Sequence, residues 1–563
     1  MLPLVQIKNL SISFAQDKKS VQAVKNISFN IPGGKITALI GESGSGKSVT
    51  ALSFLQLLPL QAKTNGNILF SEDGLTAVDL LETPAQKMQG LRGNKIAMIF
   101  QEPMTSLNPV HTCGAQVMEA IMLHKKINKR AAKLATIELF KKVELPTPEQ
   151  IINRYPHQIS GGQKQRVMIA MAMSCDPAFL IADEPTTALD VRVQKNILLL
   201  LKKLQSETGM GILLITHDLS LVADVADEIA VMYKGELVET GNVRDVLTQP
   251  QHLYTKALLA CKPSPAHKGK KLSVVADVLN GKVITEILPL NSSQIISNQT
   301  VLKVENLNVK FPATRNMFGK VTDYFQAVDD VTFEVYKNET VGLVGESGCG
   351  KTTLGRAILG LVKPTSGNII LNNKNIADIN DNEMRVVRKE LQIVFQDPYG
   401  SLNPRMSIGD AIVEPIAVHF SHTNKKVRKE KAIDLLEQVN LDADSFDKYP
   451  HQFSGGQRQR ICIARALALE PNFLIFDESV SALDVSVQAQ VLNLINDLKA
   501  QYNFTSIFIS HDLSVIHYIS DRVMVMHKGK IIEQNTADEI FYHPKENYTK
   551  ELLNAVSGIK FAL

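Results

Sequence analysis

The sequence predicts an α/β fold in two tandem copies. The block Ser-Gly-Gly-Gln at 160–163 returns at 454–457, and the block at 179–184 returns at 473–478, both 294 positions further on. Each copy also has a glycine-rich loop after a short apolar run, and a second apolar run that ends in Asp-Glu. Short apolar runs are typical of buried parallel strands. The repeat therefore indicates two whole domains of one α/β design.

The repeat also sets the domain boundaries. The two copies span about residues 1–262 and 301–563, and the segment 263–300 is predicted to be a linker because it holds prolines, a basic cluster and a Ser/Asn-rich end. Within it, 274–279 and 283–288 are candidates for short strands. The chain takes 54 residues from Lys47 to Gln101 but 45 from Lys351 to Gln396, which predicts an extra surface turn or hairpin near 71–86.

Composition argues against several classes of protein. The net charge of +4 is nearly balanced, unlike that of a dedicated nucleic-acid-binding protein. The five cysteines are scattered, which disfavours a disulfide framework or a zinc ribbon and fits a reducing cytosol. No apolar run approaches the ~18 residues that span a bilayer, and Lys8 falls where a signal peptide would be apolar. We expect a cytosolic chain that contacts a membrane only through partners.

The glycine-rich loops have the pattern of a phosphate-binding loop. Each follows an apolar strand and precedes a predicted helix, so its main-chain N–H groups and the helix N-terminus can face an anion. The lysine supplies a charge to the β- and γ-phosphates, and the next hydroxyl is a ligand for Mg²⁺. The predicted nucleotide-binding residues are Gly41, Ser43, Gly44, Gly46, Lys47 and Ser48, with Gly345, Ser347, Gly348, Gly350, Lys351 and Thr352 in the second copy.

Acidic and histidine side chains follow two further apolar strands. Asp183 at a strand end is placed to hold Mg²⁺, and Glu184 is the candidate that polarises an attacking water. His217, after the strand 211–215, can reach the γ-phosphate and the transition-state oxygens. A lone strand-end histidine is more often structural, but all three recur at the 294-residue offset, as Asp477, Glu478 and His511.

The Ser-Gly-Gly-Gln block shortly before the Asp-Glu strand resembles the signature motif of ATP-binding cassette (ABC) ATPases. The resemblance covers nearly the whole chain, once per copy. It implies two P-loop NTPase domains, each a RecA-like α/β core with an antiparallel β subdomain and a helical subdomain. The usual leading Leu of the signature is Ile159 in one copy and Phe453 in the other, a modest departure. Gln101 and Gln396 match the Q-loop of the family, and Asp190 and Asp484 match its D-loop.

In the family, two cassettes pair head to tail, so each ATP lies between one phosphate loop and the opposite signature. Here the resemblance implies pairing within one chain and two hydrolytic sites that use ATP and Mg²⁺. Site one would combine Lys47, Ser48, Gln101, Asp183, Glu184 and His217 with Ser454 and Gly456. Site two would combine Lys351, Thr352, Gln396, Asp477, Glu478 and His511 with Ser160 and Gly162. The other implied nucleotide-binding residues are Gly161, Gln163, Gly455, Gln457, Asp190 and Asp484. Ser48, Asp183 and Gln101, and likewise Thr352, Asp477 and Gln396, are the implied metal ligands.

Segments around these motifs resemble the peptide-importer group of the family. They are the Q-loop regions 100–109 and 395–404, the Tyr-Pro-His-Gln blocks at 155–158 and 449–452, and the Tyr-Thr-Lys tails at 254–256 and 548–550. The fused arrangement is most similar to ATPases of the microcin C and oligopeptide type. The resemblance implies two integral membrane permeases gripped by the helical segments 110–155 and 405–448. It also implies a periplasmic binding protein, a place at the cytoplasmic side of the inner membrane, and no nucleic-acid partner.

Three points stay open at this stage. A soluble tandem-cassette translation factor that acts on ribosomes is the alternative function, although such proteins carry a long charged linker. Phe14 and either Tyr324 or Phe325 are candidates for stacking on adenine. Cys349 lies inside the second phosphate loop, where Lys351 and main-chain N–H groups are expected to lower its thiol pKa, so that alkylation would inactivate site two and ATP would protect it.

Overall fold

The computed structural model divides into two compact units, the first unit Met1–Ala260 and the second unit Cys261–Leu563. It describes residues 2–16, 19–101, 106–186, 189–281, 299–315, 321–481 and 483–554. Among these residues, no helix combines the length and apolar character needed to cross a bilayer.

Each unit contains one four-stranded antiparallel sheet and one six-stranded, mostly parallel sheet. The strand orders are β2-β1-β4-β5 and β10-β9-β3-β8-β7-β6 in the first unit, then β12-β11-β14-β15 and β16-β17-β18-β13-β19-β20 in the second. The strands of the first unit are β1 Val5–Gln16, β2 Lys19–Ile31, β3 Ile36–Ile40, β4 Ala62–Phe70, β5 Val78–Asp79, β6 Ile96–Ile99, β7 Phe179–Asp183, β8 Gly211–Ile215, β9 Glu228–Tyr233 and β10 Glu236–Asn242. Those of the second are β11 Thr300–Arg315, β12 Val321–Tyr336, β13 Thr340–Val344, β14 Ser366–Leu371, β15 Lys374–Asn375, β16 Leu391–Val394, β17 Phe473–Asp477, β18 Thr505–Ile509, β19 Arg522–His527 and β20 Lys530–Thr536.

Most helices of one unit have a counterpart in the other. Those of the first unit are Lys47–Phe54, Ala85–Leu91, Cys113–Lys125, Lys129–Lys142, Pro148–Ile151, Gly161–Ala172, Val191–Thr208, Leu219–Val225, Val243–Thr248 and Leu253–Ala260. Those of the second unit are Val275–Leu279, Lys351–Ile358, Asp381–Glu390, Pro398–Ser401, Ile408–His419, Lys425–Gln438, Gly455–Leu467, Val485–Tyr502, Leu513–Ile519, Ala537–Tyr542 and Asn547–Asn554. Short 3-10 turns lie at Pro156–Gln158, Met173–Cys175, Pro265–His267, Ala443–Ser445 and Pro450–Gln452.

The parallel sheets bring the predicted site residues to one edge. In β3, β7 and β8 every residue is buried, as expected for short apolar strands covered on both faces. Because β3 pairs in parallel with β8, and β8 with β7, their carboxyl ends meet at one edge of the sheet. Ligands of open α/β sheets bind outside such an edge. The fold thus places the phosphate loop, Asp183 and His217 together.

The hydrophobic core of the first unit ties the two sheets to the phosphate-loop helix. Phe54 on that helix packs on Phe179 of β7, with ring centroids 5.6 Å apart. Ile7 and Ile68 of the antiparallel sheet are fully buried in the same cluster. A second cluster joins the helices of residues 113–172 to the other face of the parallel sheet. The predicted helical segments 110–155 and 405–448 are confirmed by the helices that begin at Cys113 and Ile408.

The extra residues of the first copy lie partly where the sequence predicted. The turn between β4 and β5 is Ser71–Ala77, whereas the corresponding turn between β14 and β15 is only Asn372–Asn373. Asp73 closes the longer turn by accepting hydrogen bonds from the main-chain N–H groups of Leu75 and Thr76, at 2.9 and 2.8 Å.

The predicted linker differs most from expectation. Residues 261–281 belong to the second unit, and the stretch predicted as a strand at 274–279 is instead the short helix Val275–Leu279. The N–H groups of Asp277 and Val278 both donate to the carbonyl oxygen of Val274, at 3.0 and 3.1 Å, so the hydrogen bonds of this stretch are made within a helical turn. The candidate strand at 283–288 lies outside the described residues.

We call residues 262–272 the docking segment, because polar contacts attach it to the second unit. Asn493 accepts a hydrogen bond from the N–H of Leu272 and donates one to its carbonyl oxygen, both at 2.9 Å. The hydroxyl of Tyr518 donates to the carbonyl oxygen of Lys270 at 2.9 Å. Two ion pairs complete the contact, Lys268–Asp538 at 2.8 Å and Lys271–Asp497 at 2.8 Å.

Candidate active sites

Each phosphate loop joins the central strand of its parallel sheet to a helix. Gly41 has a φ of 152°, and a side chain there would collide with the carbonyl oxygen of Met232. Gly46 has a φ of 102°, and a Cβ there would lie 2.6 Å from the carbonyl oxygen of Ala23. Gly345 and Gly350 are confined in the same way. Only glycine allows this closed loop, in which successive N–H groups can face an anion.

Lys47 and Lys351 are buried within their loops. The Lys47 ammonium donates to the carbonyl oxygens of Gly41 at 2.8 Å and of Glu42 at 2.9 Å. Lys351 makes the same pair of bonds in the second loop, at 2.7 and 3.0 Å. Both ammonium groups are therefore held in place before a phosphate arrives.

The predicted metal ligands also come together. The Ser48 hydroxyl donates to Asp183 Oδ1 at 3.2 Å, and the Thr352 hydroxyl donates to Asp477 Oδ1 at 3.1 Å. Burial raises the pKa of the Asp183 carboxyl to about 6 and also raises the pKa of Asp477. A buried carboxylate beside a hydroxyl suits a hard divalent cation, which prefers oxygen ligands and offsets the cost of burying the negative charge.

A glutamate, a glutamine and a histidine meet beside each metal-ligand pair. Glu184 accepts a hydrogen bond from Gln101 Nε2 at 2.9 Å, and His217 Nδ1 lies 3.4 Å from the other carboxylate oxygen. Although burial disfavours the protonated imidazole, the adjacent Glu184 carboxylate raises the pKa of His217. In the second unit, Gln396 Nε2 lies 2.8 Å from Glu478 and His511 Nδ1 lies 3.5 Å from it. Burial disfavours the Glu478 carboxylate, but the hydrogen bond with His511 lowers its pKa.

The backbone at both glutamates is strained. Glu184 has a φ of 45° and Glu478 a φ of 47°, the left-handed region that is unfavourable for residues with a Cβ. Each is held there by a hydrogen bond of 2.9 Å from its own N–H to the end of the neighbouring strand, Ile215 or Ile509. Such strain often marks functional sites. No sequence pattern signals it, because glutamate is ordinary after a strand.

The signature residues begin two helices, Gly161–Ala172 and Gly455–Leu467. Ser160 Oγ accepts from the N–H of Gln163 at 3.3 Å, and the Gln163 side chain accepts from the N–H of Ser160 at 3.0 Å. Ser454 and Gln457 form the same capping box in the second unit. The first-turn N–H groups of Gly161 and Gly455 have no partner within their helices, as at any helix start. Each signature thus presents a helix N-terminus suited to phosphate.

Two D-loop residues connect to the signature through packing. Asp190 accepts from the N–H of Val193 at 2.9 Å and caps the helix Val191–Thr208. A Cβ at Gly162 would lie 2.8 Å from the Val193 side chain. Asp484 caps its helix in the same way, and Gly456 is closed off by Val487. The second signature glycine is therefore required for helix packing, which sequence reasoning missed.

The prediction for Cys349 was wrong. Its side chain is 7% exposed and lies 4.0 Å from the Lys351 ammonium. Burial raises the pKa of the Cys349 thiol, and Lys351 offsets this only in part. A buried, protonated thiol is a poor nucleophile, so the expected reactivity toward alkylating reagents loses its basis.

The candidate adenine-stacking aromatics differ in exposure. Phe14 is half-buried on β1 and packs against the core. Tyr324 and Phe325 on β12 are 56% and 57% exposed, so their rings are available to a planar ligand. Stacking on adenine stays a prediction for both units.

Comparison with known proteins identifies the family. The model of the ABC transporter family matches residues 24–187 and 328–481, one match in each unit. The chain belongs to the ABC transporter family. The model named "Oligopeptide/dipeptide transporter, C-terminal region" matches residues 238–280, which include the first tail. As a member of this family, the chain binds ATP with Mg²⁺ and is an ATPase.

Two relatives align with nearly the whole chain. The glutathione import ATP-binding proteins GsiA of Escherichia coli K12 and of Shigella sonnei Ss046 are each 45% identical to this chain over 563 residues, covering 98% of it and 89% of their own length. Among solved structures, the ATP-binding cassette MJ0796 in a post-hydrolysis state covers 42% of this chain and 98% of its own at 25% identity, with a TM-score of 0.38. The chain is thus an ABC ATPase of the peptide-transporter class, as the sequence predicted.

Proposed function

We propose that both ATP sites hydrolyse ATP and that each is completed by the opposite signature. The support is the match between the two units: the hydroxyl–aspartate, glutamine–glutamate and histidine–glutamate distances agree within 0.1 Å. Site one pairs the catalytic set of the first unit with Ser454 and Gly456. Site two pairs the catalytic set of the second unit with Ser160 and Gly162. Asp190 and Asp484 join the opposite site in the same arrangement.

The residues of each site have distinct tasks. The phosphate loop and its lysine bind and orient the β- and γ-phosphates, as described for Lys47. When bound, Mg²⁺ neutralises charge that develops on the transferred phosphoryl group. Ser48, Asp183 and Gln101 would hold it. Glu184 accepts a proton from the attacking water, and His217, hydrogen-bonded to Glu184, donates to an oxygen of the γ-phosphate.

We further propose that ATP binding closes the two cassettes and that hydrolysis reopens them, which drives two separate membrane permeases. A ligand bound only by the closed state shifts the population toward closure. The chain would then lie at the cytoplasmic side of the inner membrane, held there by the permeases. A periplasmic binding protein would deliver the cargo. The peptide-transporter region at 238–280 supports this over the ribosomal alternative.

The cargo that we propose is a short peptide, with glutathione as the first candidate. The support is the name of the GsiA relatives, which describes glutathione import. Uptake of labelled glutathione and of a labelled dipeptide, in cells with and without the intact chain, tests this. Uptake of glutathione that depends on Lys47 and Lys351 supports the proposal. Uptake of the dipeptide alone, or sensitivity to microcin C alone, would replace glutathione by that cargo.

The partner proposal is tested by trapping the closed state. The double variant Glu184→Gln/Glu478→Gln is purified from its host with ATP in mild detergent, and the accompanying proteins are identified. We expect two integral membrane permeases. The matched control, Lys47→Ala/Lys351→Ala, cannot hold the phosphates and should retain smaller amounts of both permeases. Ribosomal proteins without permeases would support the translation-factor function instead.

The single variants Glu184→Gln and Glu478→Gln test whether both sites are hydrolytic. Because the two sites have matching geometry, each variant should reduce steady-state ATP hydrolysis to the same extent. A large loss in one variant and none in the other would show that one site only binds ATP.

A further inference from the structure

The Tyr-Thr-Lys tails have no assigned role in ATP hydrolysis, yet each tail contacts a phosphate loop. The hydroxyl of Tyr254 accepts a hydrogen bond from the N–H of Glu42 at 3.1 Å. The hydroxyl of Tyr548 accepts the equivalent bond from the N–H of Glu346, also at 3.1 Å. Both units make this contact, over 212 and 202 residues of sequence. The contact is therefore a feature that the two copies share.

The contacted residue is a junction within the loop. The carbonyl oxygen of Glu42 accepts from the N–H of Ser45 at 3.1 Å and from the Lys47 ammonium at 2.9 Å. Tyr254 therefore holds the N–H of Glu42, while the carbonyl oxygen of the same residue holds the Lys47 ammonium. The carbonyl oxygen of Glu346 has the same two partners in the second loop, Cys349 and Lys351.

Each tyrosine is itself held rigidly. Tyr254 is fully buried and stacks on Tyr233, with ring centroids 4.2 Å apart. Tyr233 follows Met232, whose carbonyl oxygen closes off Gly41. Tyr548 packs on His527 with centroids 4.0 Å apart. The aromatic pair thus links the tail helix to β9 or β19, the strand that pairs with the one leading into the phosphate loop.

A carboxylate seats the start of each tail helix. Glu239 on β10 accepts from the N–H groups of Gln251 at 2.7 Å and His252 at 3.1 Å. Glu533 on β20 accepts from the N–H groups of Lys545 and Glu546, and from the hydroxyl of Thr549 at 2.6 Å. These bonds fix where the helix begins and so where its tyrosine lies.

We propose that Tyr254 and Tyr548 are positioning residues, which hold the phosphate loop of their own unit in its ATP-binding shape through the hydrogen bond to Glu42 or Glu346. The tyrosine bonds the residue that anchors Lys47 or Lys351. A tail helix of the peptide-transporter class thereby becomes part of the support of the ATP site. This proposal depends on ATP binding alone, so it stands whatever the cargo is.

The test removes the hydroxyls and keeps the rings. In the full-length double variant Tyr254→Phe/Tyr548→Phe, one neutral hydrogen bond is lost per site, so we expect KM for ATP to rise about 2- to 12-fold. The stacked rings remain, so the unfolding temperature without nucleotide should change little. Hydrogen exchange at the Glu42 and Glu346 amides should become faster, which reports directly on the lost bond.

Two further variants separate positioning from general stability. Tyr233→Phe removes a neighbouring hydroxyl from the same aromatic pair and should leave KM unchanged. Glu239→Gln/Glu533→Gln weakens the seat of the tail helices and should raise KM in the same direction as the tyrosine variant. An unchanged KM and unchanged amide exchange in Tyr254→Phe/Tyr548→Phe would overturn the proposal, as would an equal rise of KM in Tyr233→Phe.

Discussion

The side-chain amide of Gln101 donates a hydrogen bond of 2.9 Å to the carboxylate of Glu184. The same residue is an implied metal ligand, so one side chain connects the proposed metal position to the glutamate that we propose activates water. We expect Gln101→Ala to lower the rate of ATP hydrolysis about 10- to 100-fold, because a hydrogen bond to a charged group is lost.

The measurement for Gln101→Ala is ATP hydrolysis as a function of Mg²⁺ concentration, and half-maximal activity should need more Mg²⁺. Gln396→Ala is the matched variant, since its bond to Glu478 is 2.8 Å long. Gln116→Ala in the helical segment serves as a control that should leave the Mg²⁺ dependence unchanged. An unaltered Mg²⁺ requirement in Gln101→Ala would show that Gln101 is not a metal ligand.

The left-handed backbone at Glu184 predicts an opposition between stability and activity. Glycine adopts this conformation without penalty, so the free energy of unfolding of Glu184→Gly should exceed that of Glu184→Gln by about 1 kcal/mol. Glu184→Gly should therefore unfold at the higher temperature. Both variants should lack hydrolysis at site one. Glu207→Gly, in an exposed helix position, should instead be destabilised by about 1 kcal/mol. Thermal unfolding without nucleotide decides this, and equal stability of the two Glu184 variants would show that the strain is negligible.

The two units carry the same ion pair with opposite polarity. Lys35 pairs with Glu228 at 3.0 Å in the first unit, whereas Glu339 pairs with Arg522 at 3.2 Å at the equivalent positions of the second. The Glu339 side chain is fully buried, and burial raises its pKa despite Arg522. The Lys35 side chain is 50% exposed.

This difference in burial predicts unequal effects of truncation. Arg522→Ala should destabilise the second unit by about 3 kcal/mol or more, because it leaves a buried carboxylate unpaired. Lys35→Ala should cost about 1 kcal/mol or less. Denaturant unfolding of the full-length variants measures both, and restoring stability in Arg522→Ala by adding Glu339→Gln would confirm the cause. Equal losses from Arg522→Ala and Lys35→Ala would contradict it.

The burial of His517 beside the docking segment predicts that the stability of the second unit depends on pH. It is 2% exposed and bonds to Asp538 at 3.0 Å, beside Lys268, Phe541 and Tyr542. Burial and Lys268 lower the pKa of His517 from its usual 6.5, although Asp538 opposes this. A lowered histidine pKa means that the unfolded state binds protons first, so stability should fall as the pH decreases below about 6.5.

The measurement is thermal unfolding between pH 5 and pH 8. His517→Ala, which copies Ala223 at the equivalent position of the first unit, should flatten the curve in this window. An unchanged slope in His517→Ala would assign the pH dependence to other groups.

The docking segment should be released by a single substitution. Asn493 makes two hydrogen bonds to Leu272, and the equivalent residue of the first unit is Leu199. Asn493→Leu should therefore make residues 262–272 more sensitive to limited proteolysis. Leu199→Asn is the reciprocal control and should leave the cleavage pattern unchanged. Protection that persists in Asn493→Leu would mean that the ion pairs of Lys268 and Lys271 suffice.

The sequence predicted the parts of the molecule that chemistry constrains most. The apolar run before the first phosphate loop forms the buried strand Ile36–Ile40, and the loop glycines are required where the motif places them. Contacts between distant segments were not predictable. Nothing in the Tyr-Thr-Lys tail indicates that Tyr254 bonds to Glu42, because that bond depends on how the tail helix is seated. The raised pKa of Cys349 likewise follows from burial, which the loop sequence does not reveal.

Residues 262–272 are attached to the second unit, so the boundary of the folded unit does not coincide with the boundary of the sequence repeat. Asp497 and Asp538, which pair with Lys271 and Lys268, are replaced by Lys203 and Arg244 at the equivalent positions of the first unit. The equivalent surface of the first unit therefore has the wrong charge for this segment. A shortened protein that begins at residue 301, where the sequence repeat restarts, would lack the docking segment. It would therefore expose Asn493 and Tyr518, which contact that segment. The cut that keeps this segment on the unit it contacts falls at residue 261.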